Sequence, residues 1–354
     1  MAQNVGVPRF FVNMPEFFAE TGEAYSDSLP AFFRTLPVNV QLFGELNEEH
    51  FYLSDVPFST FTDNCFLAVL GHRVTDQPWW SAGTKYFQVI DEGASPLNFT
   101  NDIRINAGEG VSPYCTPEFN GFTIASFTRG DYSPIFYSPH TANQVEDGDP
   151  VGVRELGSII IGTYYEMKNA PNLSLTMERQ YGGTKEITTY NGSSMSNTMW
   201  SKPPNWGSAG AWELFHTAGD PPIVYHDLPP ISRSARKKWK LSFSYMDDGD
   251  LWGSNQMIFS TPHTIPPGMI DTSLYEDDDI VSNTEFKYDL LSDDNFFSQV
   301  WHKTLGTIPF LFQPDKDNNA PDQLAICRFA DNSLKATQTA PGLYDISVTI
   351  EEVW

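Results

Sequence analysis

Apolar and polar residues alternate along several stretches of the chain with the two-residue period of a half-buried strand. In one stretch, every second residue from Trp239 to Tyr245 is large and apolar, and lysines and serines stand between them. Every second residue from Tyr344 to Ile350 is again aromatic or aliphatic. Since neighbouring side chains of a strand point to opposite faces, both stretches predict strands with one buried and one solvated face.

Two further patterns predict strands of other kinds. The run Ile159–Tyr165 is almost continuously β-branched or aromatic, which is typical of a strand covered on both faces. Between residues 173 and 177, Leu173, Leu175 and Met177 alternate with polar residues. The pair Gly182-Gly183 follows and leads into a second strand, 185–190, so this region predicts a β-hairpin.

Helical signals are short and occur near the two ends of the sequence. In the first helix, Asn13 is the predicted N-cap, Pro15 lies near the first position, and Gly22 ends the helix. A second helix is predicted at about 293–304, capped by Ser292 or Asp293 and ended by Gly306. Its buried stripe is predicted to be Phe296, Phe297, Val300 and Trp301.

Composition supports a mostly β protein. The 354 residues include 26 Phe, 26 Pro and 25 Gly, and only 19% are charged, which favours short strands and many turns over long helices. The acidic stretch Glu146–Pro150 and the Pro-rich stretch after residue 260 are candidate linkers. We therefore expect two or three β-sandwich or barrel-like units: a β-rich region at 1–150, a sandwich at 151–255, and a C-terminal β-domain with the helix at 256–354.

The formal net charge of −24 argues against a protein that binds nucleic acid, because such proteins neutralise phosphates with Lys and Arg. One cationic stretch, 233–240, leads into the strand that contains Trp239. Arg233, Arg236 and Lys237 are expected before the strand, and Lys238 and Lys240 on its solvent side. We predict that Arg236, Lys237 and Lys238 form the rim of a subunit interface and face acidic residues of a neighbouring copy.

Neither a disulfide framework nor a cofactor site is indicated. Cys65, Cys115 and Cys327 are far apart, and the seven histidines show no metal-ligand spacing, so we expect free thiols, no metal and no cofactor. The first residues lack the pattern of a secretion signal. No apolar run approaches the roughly 20 residues that a bilayer requires, so no membrane insertion is expected.

Catalytic motifs are also missing from the sequence. It contains no G-x-S-x-G elbow, phosphate-binding loop or dinucleotide fingerprint. The acidic runs Asp247–Asp250 and Glu276–Asp279 leave a glycosidase carboxylate pair open as an alternative. The loop with Asp315, Asp317 and Asn319 imitates a calcium loop but lacks its glycine and its final glutamate. We expect a protein that is not an enzyme.

Three tryptophans, Trp200, Trp206 and Trp212, occur in a segment rich in Pro, Gly, Ser and Asn. Exposed indoles in such a loop can stack on sugar rings, so this segment is a candidate carbohydrate-binding site. The alternative is that the rings close the open end of a β-sandwich, since Trp is usually well buried.

Three segments resemble structural proteins of tailed bacteriophages, in particular tail and baseplate components: 156–192, Ala235–Met246 and Phe296–Trp354. The strand ending in SFSY, the helix FFSQVW, the following PFLFQPD and the final strand ending in EVW are similar to distal tail proteins. The resemblance covers about Leu156 to Trp354, and it carries no catalytic residue.

The resemblance implies a ring, commonly a hexamer, that joins the tail tube to the adhesion apparatus. It also implies a lectin-like β-sandwich beside a ring-forming β-domain with a helix. In distal tail proteins the ring domain often comes first, whereas here the unit with the helix comes last.

The sequence thus leads to one main hypothesis and two alternatives. The main one is a virion structural protein of the tail tip or baseplate, made in the host cytoplasm, whose partners are further copies of itself and other tail proteins. The first alternative is a lectin-like protein of the virion that recognises a host surface glycan. The second is an enzyme that cleaves an envelope polymer.

Overall fold

The computed structural model describes residues 5–22, 33–35, 61–70, 158–198, 235–252, 290–291, 293–318 and 323–353. It also describes strand segments at 41–43, 51–52, 87–91, 123–128, 135–139, 154–156, 217–218 and 223–224. Strands dominate, so the mostly β fold class is confirmed.

The helices are α1 (Met14–Thr21), α2 (Asp248–Leu251) and a π-helix (Phe297–His302). The strands are β1 (Arg9–Asn13), β2 (Gln41–Phe43), β3 (Phe51–Tyr52), β4 (Asn64–Leu70), β5 (Phe87–Asp91), β6 (Thr123–Thr128), β7 (Ile135–Pro139), β8 (Arg154–Leu156), β9 (Ser158–Glu166), β10 (Thr176–Gln180), β11 (Thr184–Thr188), β12 (Ser194–Thr198), β13 (Thr217–Ala218), β14 (Ile223–Val224), β15 (Arg236–Asp247), β16 (Phe310–Gln313), β17 (Ala325–Phe329), β18 (Ala336–Ala340) and β19 (Leu343–Glu352). Among the described helices, none is long and apolar enough to cross a membrane.

One sheet of ten strands organises the described part of the chain. Its order is β10-β15-β19-β17-β16-β1-β9-β4-β6, and β18 pairs with β19 beside this path. The pairs along it are antiparallel. Four smaller sheets are β11-β12, β13-β14, β2-β8 and β3-β7-β5.

The ten-stranded sheet takes strands from all three of the expected units. β1, β4 and β6 precede residue 150, β9, β10 and β15 lie between 151 and 255, and β16 to β19 follow. β1 lies between β16 and β9, with Phe10 opposite Phe312 on one side and Tyr165 on the other. The predicted limits near 150 and 255 therefore do not separate sheets.

Buried side chains cover both faces of the middle of this sheet. Phe10, Phe310 and Trp239 belong to an apolar cluster on one face, which also includes Phe296, Val300 and Trp301 of the helical segment. Phe11, Leu311 and Tyr164 belong to a second cluster on the opposite face. Sequence neighbours such as Phe10 and Phe11 enter different clusters because successive side chains of a strand point to opposite faces.

Most predicted strands occur where the alternation placed them. β9 is buried on both faces, as its continuous apolar pattern predicted. In β19, Ile346, Val348 and Ile350 are buried, whereas Tyr344 is only partly buried. Trp239, Leu241 and Phe243 of β15 are buried as well.

The alternation of β15 ends at a β-bulge. Tyr245 was predicted to point inward, but its side chain is 70% exposed and its φ is +58°. The register of β15 against β19 shifts between Phe243 and Met246, so Met246 takes the inward position. A bulge adds one residue to one strand, so the side chains that follow it point to the opposite face from the one that alternation predicts. The sequence pattern did not indicate this bulge.

The helix α1 forms as predicted. Asn13 is the N-cap and its side chain accepts a hydrogen bond from Glu16 N, while Gly22 ends the helix with φ +76°. Phe17 and Phe18 are buried. Glycine adopts this left-handed backbone conformation at little cost because it has no Cβ.

The predicted helix at 293–304 differs in type and in its cap. A π-helix spans Phe297–His302, and Asn295, rather than Asp293, accepts the backbone N–H of Ser298, at 2.8 Å. Ser292 lies outside the described residues. Phe296, Val300 and Trp301 are buried as predicted, but Phe297 is only partly buried. The segment ends at Leu305 and Gly306, which both have positive φ.

Candidate assembly surface

The predicted hairpin between 173–180 and 185–190 is wrong in its pairing. β10 pairs with β15, and β11 pairs instead with β12, so the two strands beside Gly182-Gly183 do not meet. Both glycines have positive φ, +59° and +66°. Residues 181–198 form a separate two-stranded ribbon, which we call the arm.

The arm is held together at its tip by local hydrogen bonds. Thr189 N donates to Ser193 O at 2.7 Å, and Gly192 N donates to Thr189 O at 2.9 Å. Ser193 N also donates to Asn191 Oδ1 at 3.3 Å. Asn and Gly are suited to such a reversal because both tolerate turn conformations. The tip leaves the Tyr190 side chain fully exposed.

The arm and the residues just before it contain unusually exposed apolar side chains. All residues of β11 are exposed, and Ile187 lies directly opposite Met195 across the ribbon. Of the eight large apolar side chains that are exposed among the described residues, six lie between 173 and 195. These six are Leu173, Met177, Tyr181, Ile187, Tyr190 and Met195. Such a concentration marks an interaction surface, because scattered single exposures are the normal case.

The strand β10, which precedes the arm, is the last strand of the ten-stranded sheet at one end. Among the described strands it pairs with β15 alone, so one of its edges has no described partner strand. Sheet edges of this kind can pair with a strand of another chain. We call β10 and the arm together the assembly surface.

The predicted interface cations lie beside this surface, on β15. Lys238 pairs with Glu178 of β10 in the strand register, and its Nζ lies 3.8 Å from Glu351 Oε2 of β19. The backbone N of Lys237 donates to Glu352 Oε2 at 2.8 Å. Arg236, Lys237 and Lys238 are all partly buried. Acidic groups of the same chain thus already lie against these residues, and their contact with a neighbouring copy stays a prediction.

Two carboxylates of β19 organise the charges at this edge. Glu351 accepts hydrogen bonds from both Nε and Nη2 of Arg328, at 3.1 and 3.0 Å. Glu352 is buried and lies near Arg236, whose pKa is lowered by burial, while Glu352 opposes that shift. The carboxylate of Glu352 thus stabilises the charged form of the partly buried Arg236.

Sequence reasoning missed a buried polar cluster between the helical segment and β9. Lys303 is fully buried, and its Nζ donates to Gln299 Oε1 at 2.6 Å and to Thr163 Oγ1 of β9 at 3.4 Å. Gln299 Nε2 donates to the backbone oxygens of Leu291 and Asp293. The four-residue spacing of Gln299 and Lys303 was the available signal, since such residues meet on one face of a helix. The cluster ties the helical segment to the sheet.

His302, next to this cluster, is held in its neutral form. Burial, and to a smaller extent the charge of Lys303, lowers the pKa of His302 to about 4. Its ring contacts Phe17 of α1 edge to face at 5.4 Å. This histidine packs as an aromatic side chain between two helical segments.

Buried Glu16 anchors α1 to residues 33–35. Its Oε2 accepts hydrogen bonds from Thr35 N at 3.0 Å and from Asn13 Nδ2 at 3.1 Å. Asn13 Nδ2 also donates to Phe33 O at 2.8 Å. Burial raises the pKa of the Glu16 carboxyl, although these hydrogen bonds oppose the shift. The network satisfies polar groups that would be costly to bury alone.

The acidic motifs have structural roles where the structure describes them. Asp247 caps α2 by accepting Gly249 N at 2.9 Å. Asp315 accepts Asp317 N in a turn, and Lys316 N donates to Val7 O at 2.8 Å, so this turn is bound to the N-terminal segment. Among the described residues, no group of three or more His, Cys, Asp or Glu is placed to hold a metal. Glu276–Asp279 lie outside them.

The two described cysteines, Cys65 and Cys327, are buried free thiols, as expected. Trp200, Trp206 and Trp212 lie outside the described residues, so the structure gives no geometry for the candidate carbohydrate site. No protein-family model, curated protein or solved structure compared with the chain matches it.

Proposed function

We propose that this chain is a non-enzymatic structural protein of a phage virion, a ring subunit of the tail tip or baseplate that links the tail tube to the adhesion apparatus. Its partners are further copies of the same chain and other tail proteins. The observation that carries the proposal is the assembly surface: a sheet whose middle is buried on both faces continues into an arm whose side chains are exposed.

The charge and the size of the assembly surface support self-association. The assembly surface, residues 176–198, contains two acidic and two basic residues, Glu178, Arg179, Lys185 and Glu186, in a chain of net charge −24. Two copies can approach through this surface without the like-charge repulsion that acts elsewhere. Its 23 residues match the roughly 20–30 residues that a partner contributes to a standard interface.

Electron microscopy of the purified protein tests the proposal directly. We expect closed rings of one symmetry, because a head-to-tail contact that closes produces a ring. A protein that remains monomeric up to high micromolar concentration would overturn the proposal.

A matched pair of variants tests the role of the arm. Replacing both Ile187 and Met195 by serine removes exposed apolar surface without opening the core, so the monomer should fold and ring formation should weaken. Leu305→Ser, at an exposed apolar residue outside the assembly surface, is the control and should leave the rings intact. Equal loss in both variants would contradict a specific role of the arm.

The interface prediction for Arg236, Lys237 and Lys238 has its own test. Charge reversal at these positions should weaken ring formation through loss of contact with acidic groups of a neighbour. Because Lys238 also lies near Glu351 of its own chain, urea unfolding of the variant must show that the monomer is still folded. Unchanged rings would exclude these three residues from the interface.

Recognition of a host glycan by Trp200, Trp206 and Trp212 remains the alternative, and it can coexist with a role in the ring. Its test is binding to host polysaccharide, which Trp206→Ala should abolish while the fold is retained. Absence of binding to every host polysaccharide would remove this alternative.

A further inference from the structure

We infer that neighbouring copies meet head to tail along β15: the cationic end of the sheet in one copy binds the acidic end of the same sheet in the next. This inference rests on the proposed ring and names the two surfaces that form its contact. It follows from the charges at the two ends of β15, the distance between them and an exposed tyrosine at the acidic end.

The cationic end is built by four short segments that pair with one another. Residues 236–240 of β15 lie between 176–180 of β10 and 349–351 of β19, and 327–329 of β17 pair with 350–352. These segments contain six cations and three carboxylates, a net charge of +3 in a chain of net charge −24. The cations are Arg179, Arg236, Lys237, Lys238, Lys240 and Arg328, and the carboxylates are Glu178, Glu351 and Glu352.

Within the cationic end, Lys240 is exposed and lies in a neutral row of the sheet. The residues directly opposite it are Thr176 on β10 and Thr349 on β19. Lys238, by contrast, lies between two glutamates, and its Nζ is 3.8 Å from Glu351 Oε2. The charge of Lys240 is therefore not balanced across its strand pairs, and it is accessible to a second molecule.

The acidic end lies where β15 leads into α2. Residues 243–252 contain three aspartates and no Lys or Arg, and the segment 336–346, which pairs beside them, contains one aspartate and again no cation. The net charge of the acidic end is thus −4. Its aspartates are Asp247, Asp248, Asp250 and Asp345, of which the first two are exposed.

An exposed tyrosine adds apolar area to the acidic end. Tyr245 is 70% exposed and has φ +58°, a backbone conformation that costs free energy in a bulky residue. Its N–H donates to Asp345 Oδ1 at 3.0 Å, which holds the bulge in place. Strain of this kind clusters at functional positions, and tyrosine is enriched among the residues that dominate binding energy. Tyr245 is therefore suited to contact a partner.

The two ends do not neutralise each other within one chain. Lys240 and Asp247 are seven residues apart along β15, which corresponds to roughly 23 Å at about 3.3 Å per residue. The Debye length at physiological ionic strength is about 8 Å, so the attraction between the two ends is screened. A neighbouring copy, by contrast, can bring opposite charges into direct contact with each end.

Complementary surfaces at different places on one subunit produce a head-to-tail contact. A two-fold contact through either end would place like charges together, whereas joining the cationic end to the acidic end places opposite charges together. Repetition of such a contact closes into a ring or continues as an open chain. The cationic end includes β10, so this contact extends the assembly surface onto β15. The occupant of each end is a second copy of this chain.

Reversing one charge at each end tests the contact. Lys240→Glu places a carboxylate against the acidic end of the neighbour, and Asp248→Lys places a cation against the cationic end. Each variant alone should associate about fivefold more weakly per contact, because an attraction becomes a repulsion. An equimolar mixture of the two variants should recover the wild-type affinity, since alternating copies bring opposite charges together at every contact. Sedimentation velocity measures the three samples.

Two control variants make the same changes of charge outside both ends. Lys335→Glu lies just before β18 and Asp63→Lys just before β4, and both native side chains are exposed. These variants should associate as the wild type does. If they weaken association as much as Lys240→Glu and Asp248→Lys, net charge rather than the two ends controls it, and the inference is wrong.

Salt gives an independent readout of the same contact. Raising the salt concentration from about 0.1 M to about 1 M shortens the Debye length from about 10 Å to about 3 Å. The wild type should then associate more weakly, and its difference from Lys240→Glu should disappear. A difference that persists at high salt would contradict an electrostatic contact.

Tyr245→Asn separates binding from folding. Asparagine tolerates positive φ better than tyrosine, so urea unfolding should show a monomer at least as stable as the wild type. Association should nevertheless weaken, because the exposed ring is lost. Unchanged association would overturn the assignment of Tyr245 to the contact.

Electron microscopy of the same samples separates this inference from the proposed function. Rings in the wild type and in both charge variants would leave the ring subunit standing and overturn the contact along β15. Single variants that are weak and are not rescued by mixing would also overturn this contact. Open chains that the mixture restores would support the contact and overturn the ring, and a wild type that stays monomeric would overturn both.

Discussion

At the scale of single residues, the buried Lys303 has the largest effect on what we expect of variants. Its ammonium group lies in the core and donates a hydrogen bond to Gln299 Oε1 at 2.6 Å, so removing Gln299 disrupts a buried polar cluster. Removing the lysine itself takes the charge away together with its need for partners.

We therefore predict unequal losses of stability for two neighbouring substitutions. Gln299→Leu should lower the free energy of unfolding by roughly 2–4 kcal/mol, because it removes three hydrogen bonds and leaves a buried charge less well paired. Lys303→Met removes the charge but leaves the neutral, buried Gln299 Oε1 without this donor, so it should cost less, about 1–2 kcal/mol. Urea unfolding of both variants measures this difference, and the reverse order would contradict a purely structural lysine.

His302 provides a prediction about pH. Its pKa is about 4 in the folded chain and about 6.5 when unfolded, so between these values the unfolded state binds more protons. The contribution of His302 to the free energy of unfolding is fully present above pH 6.5. It falls by up to about 3 kcal/mol as the pH is lowered toward 4.

The check is a comparison with His302→Phe, which also fills the space beside Phe17 but cannot titrate. Urea unfolding at several pH values should show the wild type losing stability relative to this variant as the pH falls from 6.5 to 4. A constant difference between the two proteins would show that His302 does not titrate as described.

At the scale of elements, the backbone of β9 lies very close to the backbone where β1 ends and α1 begins. A Cβ at Gly162 would lie 1.9 Å from Val12 O and 3.1 Å from Met14 N, so no side chain fits there.

Gly162→Ala should lower the free energy of unfolding by roughly 3 kcal/mol, since backbone must shift to relieve the overlap. Gly249→Ala in α2 is the matched control: its Cβ would meet only Asp247 Oδ1, at 3.3 Å, so we expect a change within about 0.5 kcal/mol. Thermal or urea unfolding measures both, and equal effects would contradict the close approach at β9.

The elements also show which features a sequence can predict. Periodicity placed β9, β15 and β19, and end signals placed α1, because these depend on residues close together in the chain. The partner of β10 was predicted wrongly, since pairing depends on β15, which is about 60 residues away. The bulge at Tyr245 and the π-helix each insert one residue into a regular element, and no residue type marks such an insertion. The arm was missed because β11 was predicted to pair with β10, whereas it pairs with β12.

At the scale of the whole molecule, the ten-stranded sheet makes the ends of the chain interdependent. β1 is a central strand, and it fills the gap between β16 and β9. A sheet that lacks an internal strand loses both neighbouring ladders and opens its core.

A chain lacking residues 1–22 should therefore fail to form the native core. We expect loss of near-ultraviolet circular dichroism and of cooperative unfolding, whereas a chain in which a short Gly-Ser link replaces 184–197 should retain both. A native spectrum after deletion of residues 1–22 would contradict the central position of β1.

The position of β1 has a consequence for biosynthesis. Phe11 leaves the ribosome long before its partner Leu311, so the nascent chain carries an unmatched apolar strand while about 300 more residues are added. At a translation rate of about 5–20 residues per second, this interval lasts roughly 15–60 s. During that time the strand is open to chaperones, and we expect the yield of native protein to depend on them more than it does for chains whose sheets close between neighbouring segments.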